Sequence, residues 1–345
     1  MCAKRCSGRV FFAICGVDLR CFGRNAKRPV LETKIGIREA AALPAEAQFG
    51  CLCLLNGAAH SGAAAADAEK LAQIFRQMGC NARIEAPPQI SHLQELAREA
   101  VRDGARLVVA GGGDGTISAV ANALAGSDTA LGILPLGTLN HFAKDVGIPL
   151  ALEAAVANAL QGRARAVDVV EVNGRVFVNN SSIGFYPQVV REREALQEEG
   201  HGKWVAFAQA LLATVRRSKS LRVRLRFGGP VLNIKADFVF IGNNEYELAA
   251  PRLGARARLD GGLLWISYVS HMGRFRAVAA AARAIVGMEK PKPPFVFTTG
   301  ELRIDTRRKF LDVALDGEVL RMATPLVYRS RPRSLRVIVP GEGAA

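Results

Sequence analysis

Leu107-Val108-Val109-Ala110-Gly111-Gly112-Gly113-Asp114-Gly115-Thr116 decides the fold of this chain. Four apolar residues in a row predict a buried strand, and the stretch Ile117 to Leu124 behind the glycines predicts a helix. Four glycines within six residues, placed where a strand hands over to a helix, let backbone N–H groups approach an anion with no Cβ in the way. Phosphate is the natural guest. The stretch lacks the Gly-Lys-Ser/Thr ending of a Walker loop and does not space its glycines as the dinucleotide fingerprint does. The accompanying Asp114 and Thr116 therefore narrow the field.

Outward from this loop, strand and helix patterns alternate. Phe49 to Leu55 reads as a first buried strand ending at the turn Asn56-Gly57. Asp67 is expected to cap a helix with Leu71, Ile74, Phe75 and Met78 on one face and Gly79 as its stop. A strand over 81–85 follows. Ser91 and Gln94 form a capping-box pattern ahead of Leu93, Leu96, Ala97 and Ala100. Beyond the glycine loop, Leu131 to Leu134 reads as another buried strand. Such alternation indicates a parallel sheet in an α/β layer.

After about Val167 the texture changes. Leu221, Val223, Leu225 and Phe227 alternate with Arg222, Arg224 and Arg226, the period of a strand with one wet face. Phe238 to Ile241, Leu263 to Val269, Leu302 to Ile304 and Phe310 to Leu315 continue a mainly antiparallel β region. A helical insert over 203–216 interrupts it. Leu335 to Val339, after a Pro/Arg-rich joint, is placed to return to the first domain. The expected organisation is a basic, poorly ordered extension over 1–46, an α/β domain over 47–167 with about 325–341, and a β-sandwich domain over 168–324.

Composition sets the class. With 50% hydrophobic and 22% charged residues, the 345-residue chain has the balance of a soluble globular protein, and no apolar run reaches the roughly 18–20 residues that span a bilayer. A net charge of +15 favours anionic partners: nucleotides, acidic lipid surfaces or nucleic acid. The 6% aromatic content and the lack of a nucleic-acid-binding motif count against the last. Seven cysteines crowd the first 80 residues, with no C-x-x-C pair, so reduced thiols in a cytoplasmic protein are expected.

Three strand ends carry matching chemistry, and sheets of this type bind ligands beyond the carboxyl ends of their strands. Asn56-Gly57 with Ser61-Gly62 follows the first strand, Gly111 to Thr116 the third, and Pro135-Leu136-Gly137-Thr138-Leu139-Asn140 the fourth. Far downstream, Leu315-Asp316-Gly317-Glu318 reads on its own as a hairpin turn.

Gly-Gly-Asp-Gly-Thr followed by Pro-Leu-Gly-Thr-x-Asn, together with the Asn56, Ser61-Gly62 and Asp316 segments, resembles the diacylglycerol kinase catalytic-domain family, especially its soluble bacterial lipid kinases. The resemblance covers about residues 49–340. It implies a fold related to NAD kinase: an α/β domain, a β-sandwich, and ATP in the cleft between them. ATP contacts would come from Asn56, Ser61, Gly62, Gly111, Gly112, Gly113, Asp114, Gly115, Thr116, Ser118, Gly137, Thr138 and Asn140. Asp316 would be the general base and Glu318 its helper. Mg²⁺ would accompany ATP, with Asp114 a candidate contact, and Asp260 of Asp260-Gly261-Gly262-Leu263 would hold a second, structural Mg²⁺ or Ca²⁺. The partners implied are ATP and a lipid at an anionic membrane surface, with a homodimer left open. Two departures stand out: His141 replaces the family's Asp after Asn140, and Ser118-Ala119-Val120 replaces Asn-Glu-Val. They keep open a weakened nucleotide-binding relative, and NAD kinase activity is the other alternative.

Overall fold

A computed structural model describes residues 51–57, 64–184, 220–229, 231–247, 256, 258–270 and 295–341. The basic N-terminal extension, Ser61-Gly62 and the helical insert expected over 203–216 lie outside the described residues. No described helix is long and apolar enough to cross a membrane.

Strands β1 (Leu52–Leu55), β2 (Arg83–Glu85), β3 (Leu107–Gly112) and β4 (Ala130–Pro135) lie side by side in parallel, in the order β2-β1-β3-β4. β3 and β4 are buried almost throughout, as parallel strands covered on both faces must be. The cover is helical. α2 (Ile90–Arg102) buries Leu93, Ala97 and Ala100, and α3 (Asp114–Leu124) buries Thr116, Ile117, Val120 and Leu124. α1 (Ala64–Gln77) buries Leu71, Ile74 and Phe75, and α5 (Leu152–Gln161) buries Ala155, Val156 and Ala159. The short α4 (His141–Asp145) follows β4.

Three helix starts differ from the sequence reading. α1 begins at Ala64, which puts Asp67 inside the helix instead of at its cap. α2 is capped by Gln89, whose carbonyl accepts the N–H of His92 at 3.1 Å and of Leu93 at 3.4 Å. Gln89 is the last extended residue after Pro87-Pro88, so the helix begins at once and Ser91 makes no cap bond. α3 starts inside the glycine loop, at Asp114, because Gly113 takes an extended cap conformation and its carbonyl accepts the Ile117 N–H at 3.1 Å.

From β5 (Arg163–Val172) onward every strand pairing among the described residues is antiparallel, with one exception. The strands are β6 (Arg175–Phe177), β7 (Asn180–Gly184), β8 (Leu221–Arg226), β9 (Leu232–Asn243), β10 (Leu264–Ser270), β11 (Phe295–Thr299), β12 (Glu301–Asp305), β13 (Phe310–Leu315), β14 (Glu318–Ala323) and β15 (Leu326–Val339). β8 alternates buried and exposed residue by residue, as its sequence period requires. The exception is β15, whose Arg336 and Val337 pair in parallel with Ala130 and Leu131 of β4. The expected return of the chain to the first sheet is thus present, and the strand is longer than 335–339. Its Pro/Arg-rich joint is a register shift between Arg331 and Leu335, with β5 paired on both sides.

Two hydrophobic clusters result. One packs the helices on the parallel strands and includes Leu335, Val337 and Val339. The other runs from Val170 to Tyr328, and its buried members among the described residues all stand on strands, which is how antiparallel strands enclose a core when they pack face to face. β15 contributes Leu326 and Tyr328 to the second cluster, so it serves both. The fully buried Tyr328 hydroxyl lies 3.0 Å from Ser181 Oγ, and its ring meets Phe177 edge-on at 6.3 Å. Tyr328→Phe keeps the packing and leaves one buried hydroxyl without this partner; a loss of about 1–2 kcal/mol is expected in urea unfolding.

Candidate active site

The three loops behind β1, β3 and β4 meet through backbone contacts. Asn56 N–H donates to the Gly111 carbonyl at 3.4 Å, and Leu136 N–H to the Gly112 carbonyl at 3.1 Å. A Cβ on Gly137 would lie 2.4 Å from Gly113 Cα, so only glycine permits this approach. A Cβ on Gly112 would likewise lie 2.5 Å from Thr116 Oγ1. The first N–H groups of α3 carry no side-chain cap and form the positive end of an 11-residue helix.

Asn140 and Asp114 fasten this cradle. Asn140 is buried and left-handed (φ 50°); its Oδ1 accepts the Gly137 N–H at 3.0 Å, and its Nδ2 donates to the carbonyls of Pro135 (3.1 Å) and Gly137 (2.8 Å). Asp114 accepts the N–H groups of His141 and Phe142, each at 3.1 Å, and so caps α4. Thr138 is exposed on the same loop. Ala119, which departs from the family pattern, is buried at 5% exposure.

The distant acid is held next to this loop. Asp316-Gly317 is a two-residue hairpin turn between β13 and β14, with φ of 47° and 94°. Positive φ at both positions is what the tight turn demands and what Asp-Gly supplies. The Asp316 carboxylate receives four hydrogen bonds. Oδ2 accepts from Ser118 Oγ at 2.6 Å and Val178 N–H at 2.8 Å; Oδ1 accepts from Asn179 N–H at 2.8 Å and Asn180 N–H at 2.9 Å. Ser118 stands four residues beyond Asp114, about 6 Å along α3, which brings the acid within reach of the anion cradle. Burial pushes the Asp316 carboxyl above its ordinary value of 3.8, and the donors, Ser118 foremost, pull it back only in part.

The backbone that supplies these donors is itself clamped. Arg256 has a fully buried side chain; its Nη1 donates to the Val178 carbonyl at 2.6 Å, its Nη2 to Asn179 Oδ1 at 2.9 Å, and its Nε to Asp145 Oδ2 at 2.7 Å. Its guanidinium lies 5.6 Å from the Phe142 ring centroid. Asn243 Nδ2 also donates to the Val178 carbonyl (2.9 Å), and Tyr246 Oη donates to the Asn179 carbonyl (2.9 Å). The buried Asp168 fixes the register shift in β15, accepting from Arg333 N–H at 2.8 Å, Gly262 N–H at 2.6 Å and Asn244 Nδ2 at 3.1 Å.

The structure therefore brings Asn56, Gly111 to Thr116, Ser118, Gly137, Thr138, Asn140 and Asp316 together. Glu318 is exposed at the start of β14. Asp260 stands apart: its Oδ1 lies 3.3 Å from Arg258 Nε, and no cluster of three potential metal-ligating side chains occurs among the described residues. Arg256, Asp145, Asn179-Asn180 and Asn243-Asn244 escape the sequence reading. Two Asn-Asn pairs at strand ends are the only local sign of them.

The chain has relatives in sequence and in fold. A family model described as the diacylglycerol kinase catalytic domain matches residues 51–172. Proteins named lipid kinase YegS-like from Pseudomonas syringae and Pseudomonas aeruginosa are each 32% identical to the chain, over 277 and 275 residues, covering 77% of it and 87% of their own length. In fold, the chain is similar to a candidate diacylglycerol kinase from Bacillus anthracis, with a TM-score of 0.65 and 23% identity over 84% of this chain and 97% of that one. The chain belongs to the diacylglycerol kinase catalytic-domain family.

Arg256→Met tests the clamp. It strands the Asp145 carboxylate and frees the Val178 and Asn179 groups; a loss of about 3–5 kcal/mol in denaturant unfolding is expected for a buried pair broken on one side.

Proposed function

We propose that this protein transfers the γ-phosphoryl group of ATP to a hydroxyl of diacylglycerol or a related lipid at a membrane surface. The observation that carries the reading is the 2.6 Å bond from Ser118, on the helix that opens the anion cradle, to the half-buried Asp316. It joins a phosphate-binding feature to an acid with a raised pKa, and an acid so perturbed beside an anion site suits proton transfer. The family membership and the names of the relatives support a lipid acceptor.

In this reading the uncapped N–H groups of α3 and the glycines from Gly111 to Gly115 take the ATP phosphates, with Asn56, Ser61, Gly62, Thr116, Gly137 and Thr138 around the nucleotide. Asn140 acts by holding the Gly137 loop in shape. Asp114, with lone pairs left beyond its two cap bonds, and Glu318 are the acids that would face a Mg²⁺ bound with ATP, which would supply neutralisation of phosphate charge. The second cation expected at Asp260 forms no part of the reading.

All four lone-pair positions of the Asp316 carboxylate are occupied, three by backbone N–H groups that cannot turn away. The fourth donor, Ser118, is a hydroxyl that rotates and also accepts. The lipid hydroxyl gives its proton to Ser118 Oγ while Ser118 passes its own to Asp316 Oδ2. The lipid oxygen bonds to the γ-phosphorus, the bond from that phosphorus to the bridging oxygen breaks, and ADP leaves. Positioning and charge neutralisation supply most of the acceleration in such transfers.

Purified protein with radiolabelled ATP, Mg²⁺ and mixed micelles of candidate lipids should yield a labelled lipid, and Asp316→Asn should reduce labelling by at least about a hundredfold. Label appearing in NAD instead, or ATP bound without any product, would sink the reading. Activity should rise with pH as Asp316 loses its proton, along a limb lying above the ordinary carboxylate value. Ser118→Ala removes both the relay and a donor that favours the anion, so activity should fall steeply and the residual limb should move to higher pH; Ser118→Thr should keep both in place. Undiminished activity in Ser118→Ala would remove Ser118 from the proton path.

A further inference from the structure

The antiparallel half carries a second, chemically different feature. β8 exposes Arg222, Arg224 and Arg226 along one face. Arg222 stands directly opposite Lys235 of β9, and Arg226 opposite Arg303 of β12. Like charges in direct cross-strand register cost stability. For Arg226 and Arg303 the cost is offset by Asp305, whose oxygens lie 2.9 Å and 3.0 Å from the two Nε atoms. No such offset exists for Arg222 and Lys235, which form no ion pair with any described carboxylate.

The loop between β12 and β13 enlarges the patch. Thr306 Oγ1 donates to the Arg222 carbonyl at 3.2 Å and holds the loop against β8, bringing Arg307 and Arg308 to the same place. Between loop and strands lies an open cavity of about 700 Å³, lined by Arg222, Arg224, Lys235, Arg307, Arg308 and the already bridged Asp305. Lys309 and Phe310 follow at its edge in sequence. Phe310 is 50% exposed, with the Arg321 guanidinium 5.3 Å from its ring centroid.

Five cations facing one committed acid form a site for anions. They are spread over two strands and a loop, which suits an array of headgroups better than a single buried phosphate. An exposed aromatic beside the basic tip suits the interface between headgroup and acyl chain. The site is not the acceptor site: β13 separates Phe310 from Asp316 by six residues, about 20 Å at strand rise. We propose that this cavity docks the protein on the anionic phospholipid surface of a bilayer, through headgroup phosphates, at a distance from the reacting hydroxyl. The proposal gives the lipid kinase reading a membrane-facing surface and is tested without ATP.

The test is co-sedimentation of the full chain with phosphatidylcholine vesicles, with and without phosphatidylglycerol, for the wild type and for Arg222→Gln/Arg308→Gln. The wild type should bind the anionic vesicles alone. At about 1 kcal/mol per cation near the surface, the double variant should bind them roughly 30-fold more weakly. Lys235→Gln/Arg307→Gln should do the same. Because Arg222 and Lys235 repel one another, Arg222→Gln should melt no lower than the wild type, which separates lost docking from lost folding. Binding unchanged in both double variants overturns the proposal. So does full displacement of vesicles by millimolar inorganic phosphate at constant ionic strength, which marks a soluble-anion site, or tighter retention on duplex DNA than on vesicles. Phosphorylation of a short-chain lipid dispersed as monomers should be unchanged in the variants. Failure of that reaction in the wild type would count against phosphoryl transfer and leave the vesicle result readable.

Discussion

Three consecutive backbone N–H groups, from Val178, Asn179 and Asn180, aim at one carboxylate, and the rest of the site depends on their staying there. In a regular strand successive N–H groups point to opposite sides, so the segment entering β7 has to leave strand geometry to present all three. The cost is met by fixing the carbonyls on the other side. Arg256 and Asn243 hold the carbonyl of Val178, Tyr246 that of Asn179, and Asp316 N–H that of Asn180 at 2.9 Å. Arg256 in turn needs Asp145, on the helix that Asp114 caps. The anion cradle and the acid are therefore two ends of one polar network running through α4, Arg256 and the 178–180 backbone.

Charge and burial compete at Asp316. Desolvation favours the neutral acid and four donors favour the anion; desolvation wins. The same turn that buries the carboxylate holds Asp316 at φ 47°, in a region most side-chain-bearing residues avoid and Asp and Asn tolerate. Turn chemistry and acid chemistry thus select the same residue. The hairpin reading of Asp-Gly and the catalytic reading do not compete; the turn is how the acid is aimed.

The parallel half was legible because its signals are local. Leu107 to Ala110 could only be a buried strand, and the glycines could only be a close approach, as Gly137 against Gly113 bears out. The alternation of Leu221 to Arg226 also reports on its own strand. Helix starts were less legible: Pro87-Pro88 and the extended Gly113 set them, not the side-chain caps that sequence suggested. Arg256 and Asp168 were invisible for a different reason. A buried charge looks in sequence like any surface charge, and its partners lie 111 and 165 residues away, at Asp145 and Arg333. The pairing of Ser118 with Asp316, 198 residues apart, is of the same kind.

β15 is shared property. Its first residues pack Leu326 and Tyr328 into the strand-lined core, and its last place Leu335, Val337 and Val339 under the helices. A strand common to two cores couples their folding, so the two halves should melt in one transition and not in sequence. It also orders events during synthesis. β15 follows every other described strand, so an emerging chain completes neither core, and cannot seat Asp316 beside Ser118, until residues 326–339 have been made. Until then the edges of β4 and β12 are open to other strands, and that interval is when the chain is most exposed to misassembly.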